Sequence, residues 1–171
     1  MRLLYILIIS LTFNVQSFAA DNVSFLQYKD FEAINNIDRE SESWATCSAV
    51  YGLLSEAYGD SSPAESAEYK GMANGAAMAI MGAHLSELMV SFEDDSDIDP
   101  ARFAATLKFA QLMMAEQPTT SLNSILASLN RSPEEAQEKL LNSFQICLSN
   151  LEFQQANIDI ARSLMKSGLL N

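Results

Sequence analysis

The sequence predicts an all-α fold, an antiparallel helical bundle of five to six helices closed by one disulfide. Residues 62–65 and 132–135 share the pattern Ser-Pro-x-Glu, in which a serine cap and a first-turn proline begin a helix. Apolar residues recur at helical spacing within the segments between these starts. No stretch shows sustained alternation of apolar and polar residues, which argues against strands.

The first residues have the layout of a secretory signal peptide. Arg2 precedes an apolar run of about eleven residues, and Ala19 precedes the expected cleavage point. The run is shorter than the ~20 residues that a membrane-spanning helix needs, although an uncleaved anchor remains the alternative. We therefore expect residues 1–19 to be removed, leaving residues 20–171 as a single helical domain that is periplasmic or secreted.

Helix boundaries follow from capping and breaking residues along the mature chain. Asp99 is expected to cap a helix that begins at Pro100, Pro118 is expected to end that helix, and Gly59 and Gly168 fit helix stops. The last helix is expected with a possible break. The predicted helices cover about 24–35, 41–58, 63–92, 100–116, 120–129 and 133–166.

Two cysteines, Cys47 and Cys147, are predicted to form a structural disulfide. Each lies on the apolar face of its predicted helix, so both side chains face the core. An even, low number of cysteines in an exported protein favours a single bridge, and buried free thiols are the alternative. This bridge would link the first long helix to the last.

The uncharged stretch of residues 71–83 is unusually rich in glycine for a helix. It is too short to span a membrane, and three glycines inside a helix need a structural reason, because each costs roughly 1 kcal/mol relative to alanine. Gly71, Gly75 and Gly82 lie within a narrow arc. They predict a helix that packs closely against a neighbour.

A cofactor or metal role for the same helix is a weaker alternative. His84 is the only histidine, and the methionines nearby could with it ligate haem iron or Cu(I). No second histidine or cysteine ligand accompanies it, so the sequence predicts no cofactor. The acidic segment of residues 93–99 places Asp95, Asp97 and Asp99 at EF-hand spacing. Pro100 replaces the required glycine, however, so weak Ca²⁺ binding stays open and a solvated loop is favoured.

Charge restricts the classes of partner. The formal net charge is −12, and the loss of Arg2 would leave nine basic residues against 22 acidic ones, or −13. Such a field repels nucleic acid and anionic membranes, because their binding depends on basic side chains. We expect no nucleic-acid binding and no stable membrane insertion after cleavage of the signal peptide.

The last predicted helix carries a second apolar stripe, away from the Cys147 face. A helix that is apolar on two sides must be covered on both, either by the N-terminal segment with Phe25, Leu26 and Phe31 or by another subunit or protein. The stripe is a candidate partner surface, consisting of Ile146, Phe153, Ile160 and Leu164.

No catalytic pattern is present, so the sequence favours an exported, non-enzymatic helical protein that acts by protein–protein interaction or self-association. With one histidine and no G-x-S-x-G motif, a hydrolytic triad has no sequence support. Inhibitor, immunity-like, chaperone-like and assembly roles fit equally. The alternative is a periplasmic carrier of an apolar ligand or, less well supported, of haem or copper.

Overall fold

The computed structural model describes residues 25–26, 28–93 and 100–166. Five helices make up most of this part of the chain, as the sequence predicts, and a short 3₁₀ turn at Gly59–Ser61 follows the first of them. The signal peptide, most of the acidic segment 93–99 and Gly168 lie outside the described residues. The helices are α1 (Ile37–Tyr58), α2 (Pro63–Glu93), α3 (Pro100–Arg131), α4 (Pro133–Ser149) and α5 (Leu151–Lys166).

Helix α1 is the centre of the bundle. Every side chain from residue 43 to residue 51 is buried, and the helix contacts α2, α3 and α4. Serine, alanine and threonine supply much of this stretch, and their small side chains let neighbouring helices approach from several directions. The sequence predicted burial of one face only, whereas the middle of α1 is buried on all sides.

Three serines spaced seven residues apart on α1 join it to α2. Ser48 Oγ donates to the carbonyl of Ala73 (2.9 Å), and Ser55 Oγ donates to the carbonyl of Ser66 (2.9 Å). Ser41 Oγ lies 3.1 Å from Nε2 of His84. Because rising numbers on α1 pair with falling numbers on α2, the two helices are antiparallel.

The disulfide is present where the sequence predicts it. Cys47 Sγ and Cys147 Sγ are bonded, the Cα atoms are 5.6 Å apart, and both residues are fully buried. The bridge joins the middle of α1 to the end of α4. It lies in a core cluster that includes Trp44, Tyr51 and Ile80.

The long C-terminal helix breaks at Asn150, and the N-terminal segment is attached at this break. The Asn150 side chain accepts from the Phe31 backbone N–H (2.9 Å) and donates to the Lys29 carbonyl (2.9 Å). The predicted helix at 24–35 is wrong, because the described residues from 28 to 36 form bends and turns. Their backbone is held by a side chain about 120 positions away, which local sequence does not reveal.

Two further boundary predictions are wrong. Pro118 lies inside α3 rather than at its end, because proline removes only its own N–H bond while both halves of α3 remain packed in the core, through Ala110 and Ile125. Helix α1 begins at Ile37, where Asn36 Oδ1 accepts from the Arg39 N–H (3.0 Å).

The capping serines act differently from expectation. The Ser62 hydroxyl donates to the Glu65 carboxylate, and Ser132 makes no side-chain capping bond, although α2 and α4 do begin at the predicted prolines. Gly59 ends α1 with a φ of 42°, a left-handed backbone conformation that favours glycine, so this predicted stop is confirmed.

Candidate functional site

Two of the three glycines of α2 lie against α5. A Cβ atom at Gly82 would lie 2.6 Å from the carbonyl carbon and 2.9 Å from the Cα of Asn157, so the two backbones are in contact. A Cβ at Gly75 would lie 2.5 Å from Nε2 of Gln154. Gly71 is exposed with open space around it, so its predicted packing role is wrong.

The predicted partner stripe is largely covered by the chain itself. Ile146 is 7% exposed and packs with Leu26 and Phe31 of the N-terminal segment, while Leu164 is 3% exposed and packs between α2 and α3. Phe153 is half-buried with its ring centroid 6.0 Å from that of Trp44, and Ile160 is also half-buried. Burial removes Ile146 and Leu164 from any surface that the stripe offers to a partner.

A buried hydrogen-bond chain connects α1, α2 and α3 near His84. Ser41 Oγ donates to Oε1 of Gln117 (2.5 Å) and lies 3.1 Å from Nε2 of His84. Since the Ser41 proton is directed to Gln117, Ser41 accepts from His84, which requires a proton on Nε2. The His84 ring also contacts the Phe109 ring at a right angle, with centroids 5.1 Å apart.

A second polar group surrounds the carboxylate of Glu40, which is 8% exposed. Its Oε1 atom accepts from Nε1 of Trp44 (3.1 Å) and from Nδ2 of Asn157 (2.9 Å), so it links α1 to α5. Burial raises the pKa of Glu40 above its ordinary value, and the two hydrogen bonds oppose that shift. The carboxylate is therefore an element of the packing between helices.

This arrangement gives no support to Ser41 as a nucleophile. Its side chain is fully buried, and its proton is directed to Gln117 rather than to the histidine. The Glu40 carboxylate is engaged by Trp44 and Asn157. A hydrolytic triad needs an accessible hydroxyl and a base that accepts its proton.

An open cleft of about 590 Å³ lies above His84. Residues 35–38, which lead into α1, form one wall, and Ala105, Thr106 and Phe109 of α3 form the other. The side chain of His84 closes the floor and is 6% exposed. This volume lies within the range of sites that hold small molecules or inserted side chains.

Large apolar side chains are exposed in two places on the described surface. Phe109 and Leu112, each 47% exposed, lie about one turn apart on α3 beside the cleft, and we call this pair the α3 face. Leu141, Leu148 and Leu151 are 46%, 39% and 38% exposed on α4 and at the start of α5. Neither group was identified from the sequence, because both occur on helices whose apolar residues also supply the core.

Within residues 25–26, 28–93 and 100–166, no three His, Cys, Asp or Glu side chains are grouped to hold a metal ion. Over the same residues, no helix combines the length and the hydropathy that crossing a bilayer requires. The residues that sequence reasoning missed are Ser41, Glu40 and Gln117. The seven-residue spacing of serines on α1 signals the contact with α2, whereas nothing local connects Glu40 to Asn157.

No protein-family model, curated protein or solved structure matches this chain.

Proposed function

We propose that this chain is an exported, non-enzymatic helical protein that acts by contact with a protein partner outside the cytoplasm. Such a protein serves as an inhibitor, an immunity-like protein, a chaperone-like binder or an assembly factor. The α3 face is the observation that carries the proposal. Phe109 and Leu112 expose nearly half of their surface, whereas two of the four residues of the predicted partner stripe, Ile146 and Leu164, are buried.

Export is supported by the disulfide and by the first residues of the chain. Disulfides persist in oxidising compartments and are rare in the cytosol. The apolar run that ends before Ala19 has the layout of a cleaved signal. On these two grounds we propose that the protein acts in the periplasm or outside the cell.

The chemistry of the α3 face favours a protein partner that presents apolar side chains among basic ones. Exposed aromatic and aliphatic side chains are typical of the centres of protein interfaces. The net charge of −12 favours a basic partner and would steer it toward this protein. Phe109 is already oriented by its contact with His84, so little conformational freedom is lost when it is covered.

The carrier alternative loses the feature that favoured it in the sequence. Gly75 and Gly82 lie against α5, so the space beside them is taken by Gln154 and Asn157. Met81 of the same helix is 3% exposed and belongs to a core cluster with residues of α3 and α5.

The experiment compares two leucines that are matched in exposure. Leu112 on α3 is 47% exposed and Leu141 on α4 is 46% exposed, so replacement of either by aspartate should leave the fold intact. The parent chain is used to isolate its partner from the periplasmic or extracellular fraction of the source organism, and affinity for the purified partner is then measured.

We expect Leu112→Asp to weaken this affinity at least tenfold, because a charge would be buried in an apolar contact. Leu141→Asp should bind as the parent does. Equal loss with both variants, or loss with Leu141→Asp alone, would contradict the assignment of the α3 face. Circular dichroism spectra of both variants, compared with that of the parent, check that the helices are intact.

A further inference from the structure

The cleft beside the α3 face combines an exposed aromatic ring with a carboxylate. Phe109 supplies the ring on the α3 wall, with 47% of its surface exposed. Asp38, in the first turn of α1, supplies an exposed carboxylate on the other wall. Aromatic faces and carboxylates are the groups with which proteins hold organic cations, since the ring quadrupole and the negative charge both attract them.

The Asp38 carboxylate is available to a ligand. Among the described residues it takes part in neither of the ion pairs, which join Lys139 to Glu135 and Arg162 to Asp159. The nearest base along α1, Arg39, donates from Nη1 to the Tyr28 hydroxyl (2.7 Å) and is therefore directed to the N-terminal segment.

The apolar part of the cleft suits the stem of a long basic side chain. Ile37 and Ala105 lie on its two walls with Phe109, and the floor is the nearly buried His84 ring. Lysine and arginine bury their methylene groups against such surfaces while the charged end stays in polar surroundings. Asn35 and Thr106, whose side chains carry oxygen acceptors, also line the cleft.

We propose that the cleft receives a lysine or arginine side chain of the partner protein, with its stem against Phe109 and its charged end beside Asp38. The proposal rests on the proposed function for the statement that the occupant belongs to a protein. It adds that the partner presents a basic side chain next to the apolar residues that cover Phe109 and Leu112.

The test uses small probes and therefore does not need the partner. The purified, oxidised chain is labelled with ¹⁵N, and its amide signals are followed during titration with N-acetyl-arginine amide. N-acetyl-citrulline amide is the matched probe, because it has nearly the same shape without the charge. We expect the arginine probe to shift amides of residues 35–38, 84 and 105–109, and the citrulline probe to have little effect.

Two variants then test which carboxylate binds the charged end of the arginine probe. Asp38→Asn should weaken binding of the arginine probe by about two- to fivefold, the range for one partly exposed ion pair. Asp60→Asn makes the same change in the exposed 3₁₀ turn at the other end of α1 and should leave binding unchanged. Increasing salt should reduce the affinity of the parent chain and leave that of Asp38→Asn less affected.

Shifts spread over the acidic surface, equal effects of Asp38→Asn and Asp60→Asn, or no shifts at the cleft would each overturn the inference. Its failure is distinguishable from failure of the proposed function. Loss of partner binding in Leu112→Asp together with an unresponsive cleft would contradict only the cation site. A responsive cleft with unchanged partner binding in Leu112→Asp would contradict only the α3 face.

Discussion

Helix α2 differs between its two long sides. On the α5 side the backbone at Gly82 touches the backbone at Asn157, so no side chain separates the helices. On the α3 side, His84 meets Phe109 through their rings, and a cleft of about 590 Å³ remains beside them. The close contact between α2 and α5 can hold the bundle together. The cleft beside His84 and Phe109 is where another molecule can bind.

Polar groups also differ between the closed side of α2, which faces α5, and the open side, which faces α3. On the closed side, Glu40 is buried, and its Oε1 atom accepts hydrogen bonds from Trp44 and Asn157. On the open side, Asp38 is only two positions earlier on α1, yet it is exposed beside the cleft. These neighbouring acids therefore lie in opposite surroundings, because the helix turns one inward and the other outward.

Removal of the disulfide should have the largest effect, because the bridge ties the middle of α1 to the end of α4 within the core. In the double variant Cys47→Ala, Cys147→Ala, the loop of 100 residues is no longer closed, and we expect the free energy of unfolding to fall by about 4 kcal/mol. Urea unfolding of parent and variant measures this. A parent-like midpoint would mean that packing alone holds α1 against α4 without the bridge.

Substitution of glycines should give the next largest change in stability. It distinguishes the glycine of α2 that contacts α5 from the one that is exposed. Gly82→Ala forces a methyl group against the Asn157 backbone, and we expect a loss of about 3 kcal/mol. Gly71→Ala is the matched control, because nothing lies within 4 Å of its Cβ position, and alanine favours the helix by up to about 1 kcal/mol. Similar thermal unfolding of the two variants would show that α2 and α5 are not in close contact.

The pH dependence attributable to Glu40 should be the smallest effect. Because its pKa is raised in the folded state, its protonation stabilises the fold, fully below its ordinary pKa of 4.5 and not at all once the pH has risen through the folded value. Glu40→Gln keeps an oxygen acceptor for Trp44 and Asn157 but does not titrate. The stability of the parent relative to Glu40→Gln should therefore rise as the pH falls toward 4.5. A constant difference from neutral pH to pH 4.5 would contradict burial of an ionisable carboxylate.

The fold class and the disulfide were predictable because their signals are local. Prolines at helix starts, a glycine at the end of α1 and cysteines on apolar faces each depend on a few neighbouring residues. The sequence predicted that this helix packs closely against a neighbour, but it did not show which glycines make the contact. Gly82 touches α5, whereas Gly71 on the same arc is exposed. The sequence gives the angular position of each residue around a helix. It does not give the point along the helix at which a crossing neighbour diverges from it.

The remaining features depend on contacts between distant residues. Asn150 holds the N-terminal segment at Phe31, and Asn157 binds Glu40 117 positions earlier. An asparagine or a buried glutamate has no periodic pattern that identifies its partner. The cleft was missed for the same reason, because it forms only when α1, α2 and α3 are assembled.

The attachment of the N-terminal segment to Asn150 has a consequence for the order in which the chain folds. Phe31, Glu40 and Cys47 find their partners only at Asn150, Asn157 and Cys147, so synthesis of about the last 25 residues must precede completion of the core. Contacts this distant in sequence form late. The core therefore closes only after α5 has been synthesised, and we expect resistance to proteases to appear at that stage.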